Sequence, residues 1–189
     1  GGVFYPDYFG KDFVLNDLTH DGGLTAIRIE GPTNSVDQRA NRLSKELGLL
    51  DQELSILDSE QSNIFWSRTK NLEVFKSLKS NLLRIVLPMS ETLQVIQKLK
   101  NFEIKYFIDW GGGLIWASFD QLNTKILSEI KDTVKKHQGY ITLIKVEEDL
   151  KASADIFTID PIKYKISEKI KRSFDPKRIF NPGKMYTGI

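Results

Sequence analysis

Cysteine is absent from this 189-residue chain, and histidine occurs only twice, at His20 and His137. Without cysteine there can be no disulfide, thiolate metal ligand or cysteine nucleophile, and such a composition is typical of a reducing compartment. The two histidines do not have a metal-ligand spacing such as H-E-x-x-H. The sequence therefore predicts no metal site.

Long apolar runs are also missing. None approaches the ~18 residues needed to span a bilayer, and the N-terminus lacks the charged start and apolar core of a signal peptide. We therefore expect a cytoplasmic protein with no direct membrane insertion. The chain begins Gly1-Gly2 rather than with methionine, as expected of a fragment or a processed piece.

An excess of charge of one sign is lacking as well, because 27 basic residues face 25 acidic ones for a net charge of +2. This balance argues against a dedicated nucleic-acid or membrane-surface binder. What is present is enough apolar material for a core, with 40% hydrophobic and 11% aromatic residues. The length suits one domain or two tightly joined halves.

The middle of the chain shows strong alternating periodicity. The pattern predicts four strands, at 82–88, 104–110, 114–119 and 140–146. A helix capped by Ser90 follows the first strand, with Leu93, Ile96 and Leu99 pointing inward. A second helix, capped by Asp120, follows the third strand, with Leu122, Ile126, Ile130 and Val134 pointing inward. The order β-α-β-β-α-β indicates an α+β fold with a ferredoxin-like unit, in which helices cover one face of an antiparallel sheet. We expect the other face to be uncovered.

Residues 24–75 repeat a similar rhythm. They predict a strand at 24–30, a helix capped by Thr33 or Asn34 with its Val36, Ala40, Leu43 and Leu47 face buried, a strand at 52–57 and a helix near 60–75. The sheet is therefore expected to be extended or partly duplicated. The predicted organisation is a leading segment, 1–23, an α+β domain, 24–150, and a C-terminal helix and docking tail of the same domain, 151–189.

The C-terminal region begins with Asp160 as a helix cap and Pro161 at the first helical position. An apolar stripe at i+4 spacing follows, made of Ile162, Ile166, Ile170 and Phe174. Lysines lie on the other faces of this helix, and those faces are either a solvated surface or a site for an anionic partner. The next stretch, "SFDPKRIFNPGKMY", combines apolar side chains with two prolines and a glycine. It predicts a rigid tail that docks on this domain's own core, on a partner, or on both.

The run "DWGGG", Asp109 to Gly113, has two interpretations. It is either a hairpin turn in which glycine supplies positive φ, or a place where a ligand approaches the backbone closely. It lacks the G-x-G-x-x-G spacing of a dinucleotide-binding loop. The aromatic residues Tyr106, Trp110 and Trp116 on the adjoining strands raise the question of RNA, but the RNA-recognition signature does not occur, so core packing is favoured.

The tail "SFDPKRIFNPGKMYTGI" resembles the C-terminal signature of FAD-linked oxidases of the vanillyl-alcohol oxidase type. Together with "YFIDWGGGLIWAS" and "GYITLIKVEEDLKAS", it is similar to the FAD-binding subunits of glycolate oxidase. The resemblance extends from about residue 80 to 189, and faintly from 24 to 80. It implies the cap domain of an FAD-dependent oxidase of glycolate or a related 2-hydroxy acid.

The resemblance also implies partners and a cofactor. Most contacts to FAD would come from an N-terminal FAD-binding domain outside this chain, so the fragment alone is expected neither to bind FAD nor to be active. Sister catalytic and iron–sulfur subunits of a glycolate oxidase complex would be further partners. Any membrane association would come through those subunits, and no nucleic acid is expected.

Site residues follow from the resemblance position by position. Asn181 and Lys184 match the N-P-G-K motif and would lie on the cofactor side. Asp109, Trp110, Gly111, Gly112 and Gly113 would face the substrate or the flavin, at the place where related D-2-hydroxy-acid dehydrogenases carry a histidine-containing metal motif. Since this chain has no histidine there, no metal is expected at this place. The resemblance does not identify a catalytic residue in this chain.

The tail residues Phe174, Ile179, Phe180 and Met185 would anchor the tail on the cap and along its boundary with the flavin domain. Two other functions stay open. One is an RNA-binding or small-molecule regulatory module of ferredoxin-like type. The other is a structural subunit whose FAD site is degenerate.

Overall fold

The computed structural model describes residues 1–9, 22–48, 54–78, 81–153, 155–158, 160–183 and 189. The chain forms two compact units. Unit 1 contains Gly1–Leu78 with Phe107–Gly111, and unit 2 contains Lys79–Tyr106 with Gly112–Ile189. His20, Lys184 and Met185, which the sequence singled out, lie outside the described residues.

Within the described residues the fold is α+β, as predicted. The strands are β1 Gly2–Tyr5, β2 Leu24–Ile27, β3 Asn81–Val86, β4 Ile104–Asp109, β5 Leu114–Phe119 and β6 Tyr140–Lys145. The helices are α1 Thr33–Glu46, α2 Ser59–Lys70, α3 Thr92–Leu99, α4 Thr124–Lys136, α5 Glu148–Ser153 and α6 Pro161–Phe174. The strands belong to one antiparallel sheet in the order β2-β1-β4-β5-β3-β6, so the predicted extension beyond four strands is confirmed.

Unit 2 has the predicted β-α-β-β-α-β order. Its core follows from strand alternation, because side chains two residues apart share a sheet face. Leu83 and Ile85 on β3 are fully buried, opposite Ala117 and Ile115 on β5. The buried residues of α3 and α4 complete this core: Val95, Ile96, Leu99, Leu127, Ile130 and Val134.

The other face of the unit 2 strands is less open than predicted. Arg84 lies opposite Trp116 on β5 and Thr142 on β6, and all three are half-buried. Leu114 and Ser118 on the same face are buried. The expectation of an uncovered sheet face is therefore wrong for one part of it.

The predicted start of α6 is confirmed, with Asp160 as its cap and Pro161 as its first residue, but the starts of α3 and α4 needed correction. The cap of α4 is Asn123 rather than Asp120, and its side chain accepts the Ile126 N–H at 2.9 Å. Glu91 rather than Ser90 precedes α3. Leu93, predicted to point inward, is 69% exposed. In each case the helix begins later than the sequence pattern suggested.

Unit 1 departs further from the predictions. No strand was predicted in the leading segment, 1–23, yet it contains β1, whose Val3 and Tyr5 are buried. Residues 54–57 of the predicted strand 52–57 are not a strand, and residues 52–53 lie outside the described residues. α1 forms, but its N-cap is Pro32 rather than the predicted Thr33 or Asn34, and no side chain makes a capping hydrogen bond. None of its side chains is fully buried, because Val36, Ala40 and Leu43 are half-buried and Leu47 is exposed.

α2 ends before the predicted residue 75. Lys70 is its last residue, and Leu72 takes a left-handed conformation at φ 53°, which interrupts the helix. Phe65 in α2 and Phe75 beyond its end are both buried. Phe65 packs against the Tyr5 ring at 6.2 Å between ring centroids, and Phe75 packs against Phe9 at 5.7 Å and Phe107 at 5.6 Å.

Candidate functional site

The glycine turn, residues 109–113, connects β4 to β5. Asp109 to Gly111 belong to unit 1, and Gly112 and Gly113 belong to unit 2. The backbone makes a 3-10 turn over Trp110–Gly112 with φ of 62° at Gly111 and 116° at Gly112. The predicted use of glycine for positive φ is confirmed at these two residues, because side chains with a Cβ are disfavoured there.

Trp110 also has positive φ, at 54°. A bulky residue in this region is uncommon, and such strain persists only where the surroundings hold it. The Asp109 side chain accepts the Trp110 N–H at 2.7 Å, which supports this conformation. The indole is 57% exposed, so the expectation that the strand aromatics serve core packing is wrong for Trp110, although it holds for the buried Tyr106.

Within unit 1, the end of β4 that carries Asp109 is held by buried aromatic side chains. Tyr5 packs against Phe107 at 4.8 Å between ring centroids and donates its phenol hydrogen to Thr69 Oγ1 at 2.9 Å. Burial raises the pKa of the Tyr5 phenol far above its usual range, and the nearby Asp109 carboxylate acts in the same direction. Tyr5 is therefore a neutral hydrogen-bond donor and not an acid–base group near neutral pH.

Within unit 2, the segment between β3 and α3, residues 87–92, lies against Gly112 and Gly113. The Leu87 N–H donates to the Gly113 carbonyl at 3.2 Å. The Thr92 hydroxyl donates to the Gly112 carbonyl, and Thr92 is only 3% exposed. A Cβ built on Gly112 would lie 3.5 Å from Met89 Cγ. Two successive glycine carbonyls are thus held by one segment.

His137, the C-cap residue of α4, joins this region through Glu91. Its Nδ1 lies 2.6 Å from Glu91 Oε2, and its Nε2 lies 2.9 Å from Lys98 Nζ. Only 11% of its side chain is exposed. Because an ammonium group can only donate, Nε2 accepts from Lys98 and the ring hydrogen sits on Nδ1, facing the carboxylate.

The C-terminal tail is organised by Asp175, which is 6% exposed. Its carboxylate accepts the N–H groups of Ile179 and Phe180, both at 2.9 Å, and pairs with Lys171 Nζ at 2.8 Å. The Lys171 contact is the main cause that lowers the pKa of Asp175 to about 2, and the two amides add to it against the opposing effect of burial. Asp175 thereby folds the tail back onto the end of α6.

Asn181 follows directly, exposed and in a left-handed conformation at φ 46°. Lys184, its predicted companion, lies outside the described residues. The contacts that hold the Asn181 region come from Asp175, whereas Gly112 and Gly113 are held by residues 87–92. The predicted cofactor-side residue and the glycine turn therefore have separate supports.

The apolar stripe of α6 is exposed along its whole length. Exposed fractions are 71% for Ile162, 53% for Ile166, 55% for Ile170 and 84% for Phe174. Ile179 and Phe180, at 66% and 67%, continue this exposure into the tail. We call these six side chains the C-terminal apolar surface. The interpretation in which the tail closes its own core is therefore wrong for Phe174, Ile179 and Phe180.

Unit 1 also contains a cavity of about 490 Å³. Its lining is mainly apolar and comes from β2, α1, residues 54–57 and α2, with Leu24, Ile27, Leu43, Ile56 and Trp66 among the residues. Among the described residues that were predicted to contact substrate or cofactor, none lines this cavity.

Within the described residues, no group of three or more histidine, aspartate or glutamate side chains is arranged to hold a metal ion. Among the helices described, none is both long and apolar enough to cross a membrane.

Sequence reasoning missed Thr92, Glu91 and His137 as parts of this region. Thr92 is 20 residues from Gly112, and His137 is 46 residues from Glu91, so no local motif could link them. Asp175 lay within the quoted F-D-P motif, but its role as acceptor for two later N–H groups appears only in the fold. Its signal was an acidic residue immediately after a helix.

Comparison with known proteins gives one informative similarity. No protein-family model matches the chain. The chain is similar to the glycolate oxidase subunit GlcE of Escherichia coli (strain K12). The two sequences are 26% identical over 178 residues, a region that includes 93% of this chain and 42% of the relative. The chain thus spans less than half the length of this relative.

Proposed function

We propose that this chain is the cap domain of an FAD-dependent oxidase of 2-hydroxy acids, with glycolate as the first substrate to test. The observation that carries the proposal is the similarity to a glycolate oxidase subunit over 93% of the chain. The tail and glycine-turn sequences, which resemble those of FAD-linked oxidases, support the same class. As proposed, the α+β domain covers residues 24–150 and the helix with its docking tail covers 151–189.

The C-terminal apolar surface supports a cap that is completed by another part of the protein. Folded chains rarely expose a contiguous apolar patch of this kind unless it binds something. The chain spans 42% of its relative, so the occupant we propose is an FAD-binding part of the whole protein. Asp175 holds Ile179 and Phe180 in place before docking, which reduces the conformational entropy lost on association.

The described residues fit a cover for a flavin better than a complete flavin site. A Cβ on Gly111 would meet no atom within 4 Å, so the backbone there is open to close approach. The exposed Trp110 indole beside it offers a flat apolar surface. Asn181 is the described residue proposed to contact the cofactor, and Lys184 stays a prediction.

When bound, the flavin would accept the hydride from the α-carbon of the hydroxy acid. The glycine turn would let the chain approach the substrate closely, and Trp110 would exclude water from it. None of the described residues is assigned as the base that removes the hydroxyl proton. Partners in the form of sister catalytic and iron–sulfur subunits belong to the same proposal.

The first test uses the intact protein, purified and assayed for flavin absorbance and for bleaching of that absorbance by glycolate. We expect bound flavin and bleaching that requires glycolate. A protein that contains no flavin, alone or with its sister subunits, would contradict the proposal and favour a structural subunit. Binding to single-stranded RNA that weakens with salt would favour the RNA-binding alternative instead.

A matched pair of double variants tests the docking surface. Ile166→Gln with Ile170→Gln removes two apolar side chains from α6, and Lys165→Gln with Lys169→Gln changes two exposed neighbours to the same residue. We expect the isoleucine variant to lose flavin during gel filtration and the lysine variant to retain it. Equal retention by both would show that the cap does not dock through this surface.

A further inference from the structure

The glycine turn carries no side chain at Gly112 or Gly113, so its position depends on what holds the backbone. Three contacts from residues 87–92 do so: the Leu87 N–H on the Gly113 carbonyl, the Thr92 hydroxyl on the Gly112 carbonyl, and the Met89 side chain against Gly112. Thr92 is buried, so water does not compete freely for its hydroxyl.

Thr92 is the first residue of α3, and the residue before it, Glu91, is held from a different helix. His137 at the end of α4 donates Nδ1–H to Glu91 Oε2 at 2.6 Å. Lys98 on α3 donates to the other ring nitrogen at 2.9 Å, which fixes the tautomer. A continuous chain of contacts thus runs from Lys98 through His137 and Glu91 to Thr92 and Gly112.

The turn after α4 is built to bring His137 close. Gln138 has φ of 58°, and a Cβ on Gly139 would lie 2.8 Å from the Val86 carbonyl oxygen. Only glycine permits this approach of the turn to the end of β3. The same β3 end leads directly into the residues 87–92 that hold the glycine turn.

We propose that Thr92 and the His137–Glu91 pair are positioning residues that set the location of Gly112 and Gly113 for the 2-hydroxy-acid substrate. The relevance to turnover rests on the proposed function, whereas the placement of the glycine carbonyls does not. Thr92 acts on Gly112 directly. His137 and Glu91 act through Thr92, by fixing the start of α3.

The placement is tested without flavin, by NMR of the isotopically labelled chain. The ¹³C shift of the Gly112 carbonyl reports whether it accepts a hydrogen bond. We expect Thr92→Val to move this shift upfield and Thr92→Ser, which keeps the hydroxyl, to restore it. The control is Thr124→Val, which removes a hydroxyl from the exposed first residue of α4 and should leave Gly112 unchanged.

A second pair tests the relay without altering Thr92. His137→Leu removes both ring nitrogens, whereas His137→Asn keeps an N–H donor near the position of Nδ1. In His137→Leu we expect the Gly112 carbonyl resonance to move upfield by less than it does in Thr92→Val. In His137→Asn we expect it to return toward its wild-type position. Gly112 shifts that stay at their wild-type values in Thr92→Val and in His137→Leu would overturn the proposed placement. If the Thr92→Val protein does not fold, the comparison of His137→Leu with His137→Asn decides whether the proposed placement is correct.

The link to catalysis is tested in the intact, flavin-loaded protein with glycolate. We expect Thr92→Val to reduce kcat/KM about tenfold, less than the roughly 100-fold that a misplacement of about 1 Å can cost, and Thr92→Ser to recover most of it. Unchanged kcat/KM together with a shifted Gly112 carbonyl would overturn the positioning role. Absence of turnover in the wild-type protein would instead contradict the proposed function, and the NMR result would still decide the placement.

Discussion

Two helices of unit 2 carry the same sequence signal with opposite results. α4 and α6 have 13 and 14 residues, an apolar stripe at i+4 spacing and a side-chain N-cap each. The α4 residues Leu127, Ile130 and Val134 are buried, whereas the α6 stripe is more than half exposed throughout. Periodicity therefore identifies an apolar face, but it does not say whether the surface that covers this face belongs to the described chain.

The largest contrast is expected between Ile130→Ala and Ile170→Ala. Ile130 is fully buried, so its truncation should lower the free energy of unfolding by about 2–5 kcal/mol through lost burial and a cavity. Ile170 is 55% exposed, and its truncation should change that free energy by no more than about 0.5 kcal/mol. Urea unfolding of the 189-residue chain measures both values.

Each outcome has a clear consequence for the comparison. A large loss for Ile170→Ala in this chain would mean that the stripe already packs against something in it, which would remove the main support for an external docking surface. In the intact protein, by contrast, the Ile170 substitution should become costly, because docking would bury that side chain.

The comparison also shows what could be predicted from the sequence. The β-α-β-β-α-β order of unit 2 was predictable because nearly every element there has one buried face, so apolar residues recur with the period of the element. In α4 the predicted burial of Ile130 and Val134 is confirmed, but Ile126 was expected inward where Leu127 is buried. Leu122, predicted to belong to the helix, is buried but precedes it.

Unit 1 was less predictable because its elements are only partly buried. The helix α1 has the expected pattern without a fully buried residue, and β1 was missed because four residues between glycines and a proline show little periodicity. At the candidate site, positive φ at Gly111 and Gly112 was predictable from composition. The contacts of Thr92 and His137 were not, since they join residues that are distant along the chain.

The helix caps provide a contrast of intermediate size. Asn123→Ala removes the acceptor for the Ile126 N–H at the start of α4, and we expect a loss of about 1 kcal/mol in global stability because α4 is part of the core. Asp160→Ala removes the acceptor for two N–H groups of α6. Its effect should be limited to α6, visible as faster amide hydrogen exchange of Ile162 and Lys163 with little change in the urea midpoint. Equal midpoint shifts for both would show that α6 unfolds together with the core.

Acid should release the contacts that Asp175 makes at the end of α6. The pKa of Asp175 is lowered to about 2 in the folded chain, from an ordinary value of about 3.9. Because the folded pKa is the lower one, Asp175 contributes stability that is fully present above about pH 4 and is lost as the pH falls toward about 2. We expect the Ile179 and Phe180 amide resonances to shift in this range.

The Asp175→Asn variant is the control for the acid transition. It cannot titrate, so its Ile179 and Phe180 resonances should show no such transition, and at neutral pH they should already differ from those of the wild-type chain. A transition that persists in the variant would assign the titration to a different carboxyl group.

The smallest expected effect concerns a contact that links α6 to the sheet. Lys163 Nζ lies 5.9 Å from the ring centroid of Tyr140 on β6, and Tyr140 is 45% exposed. Such an exposed cation–π contact contributes about 0.5 kcal/mol, so Lys163→Gln should increase hydrogen exchange at the start of α6 by no more than about threefold. A much larger increase would mean that the helix depends on this one contact. The expected small increase would instead mean that α6 is held mainly by its cap and by Asp175, which leaves its apolar stripe available for docking.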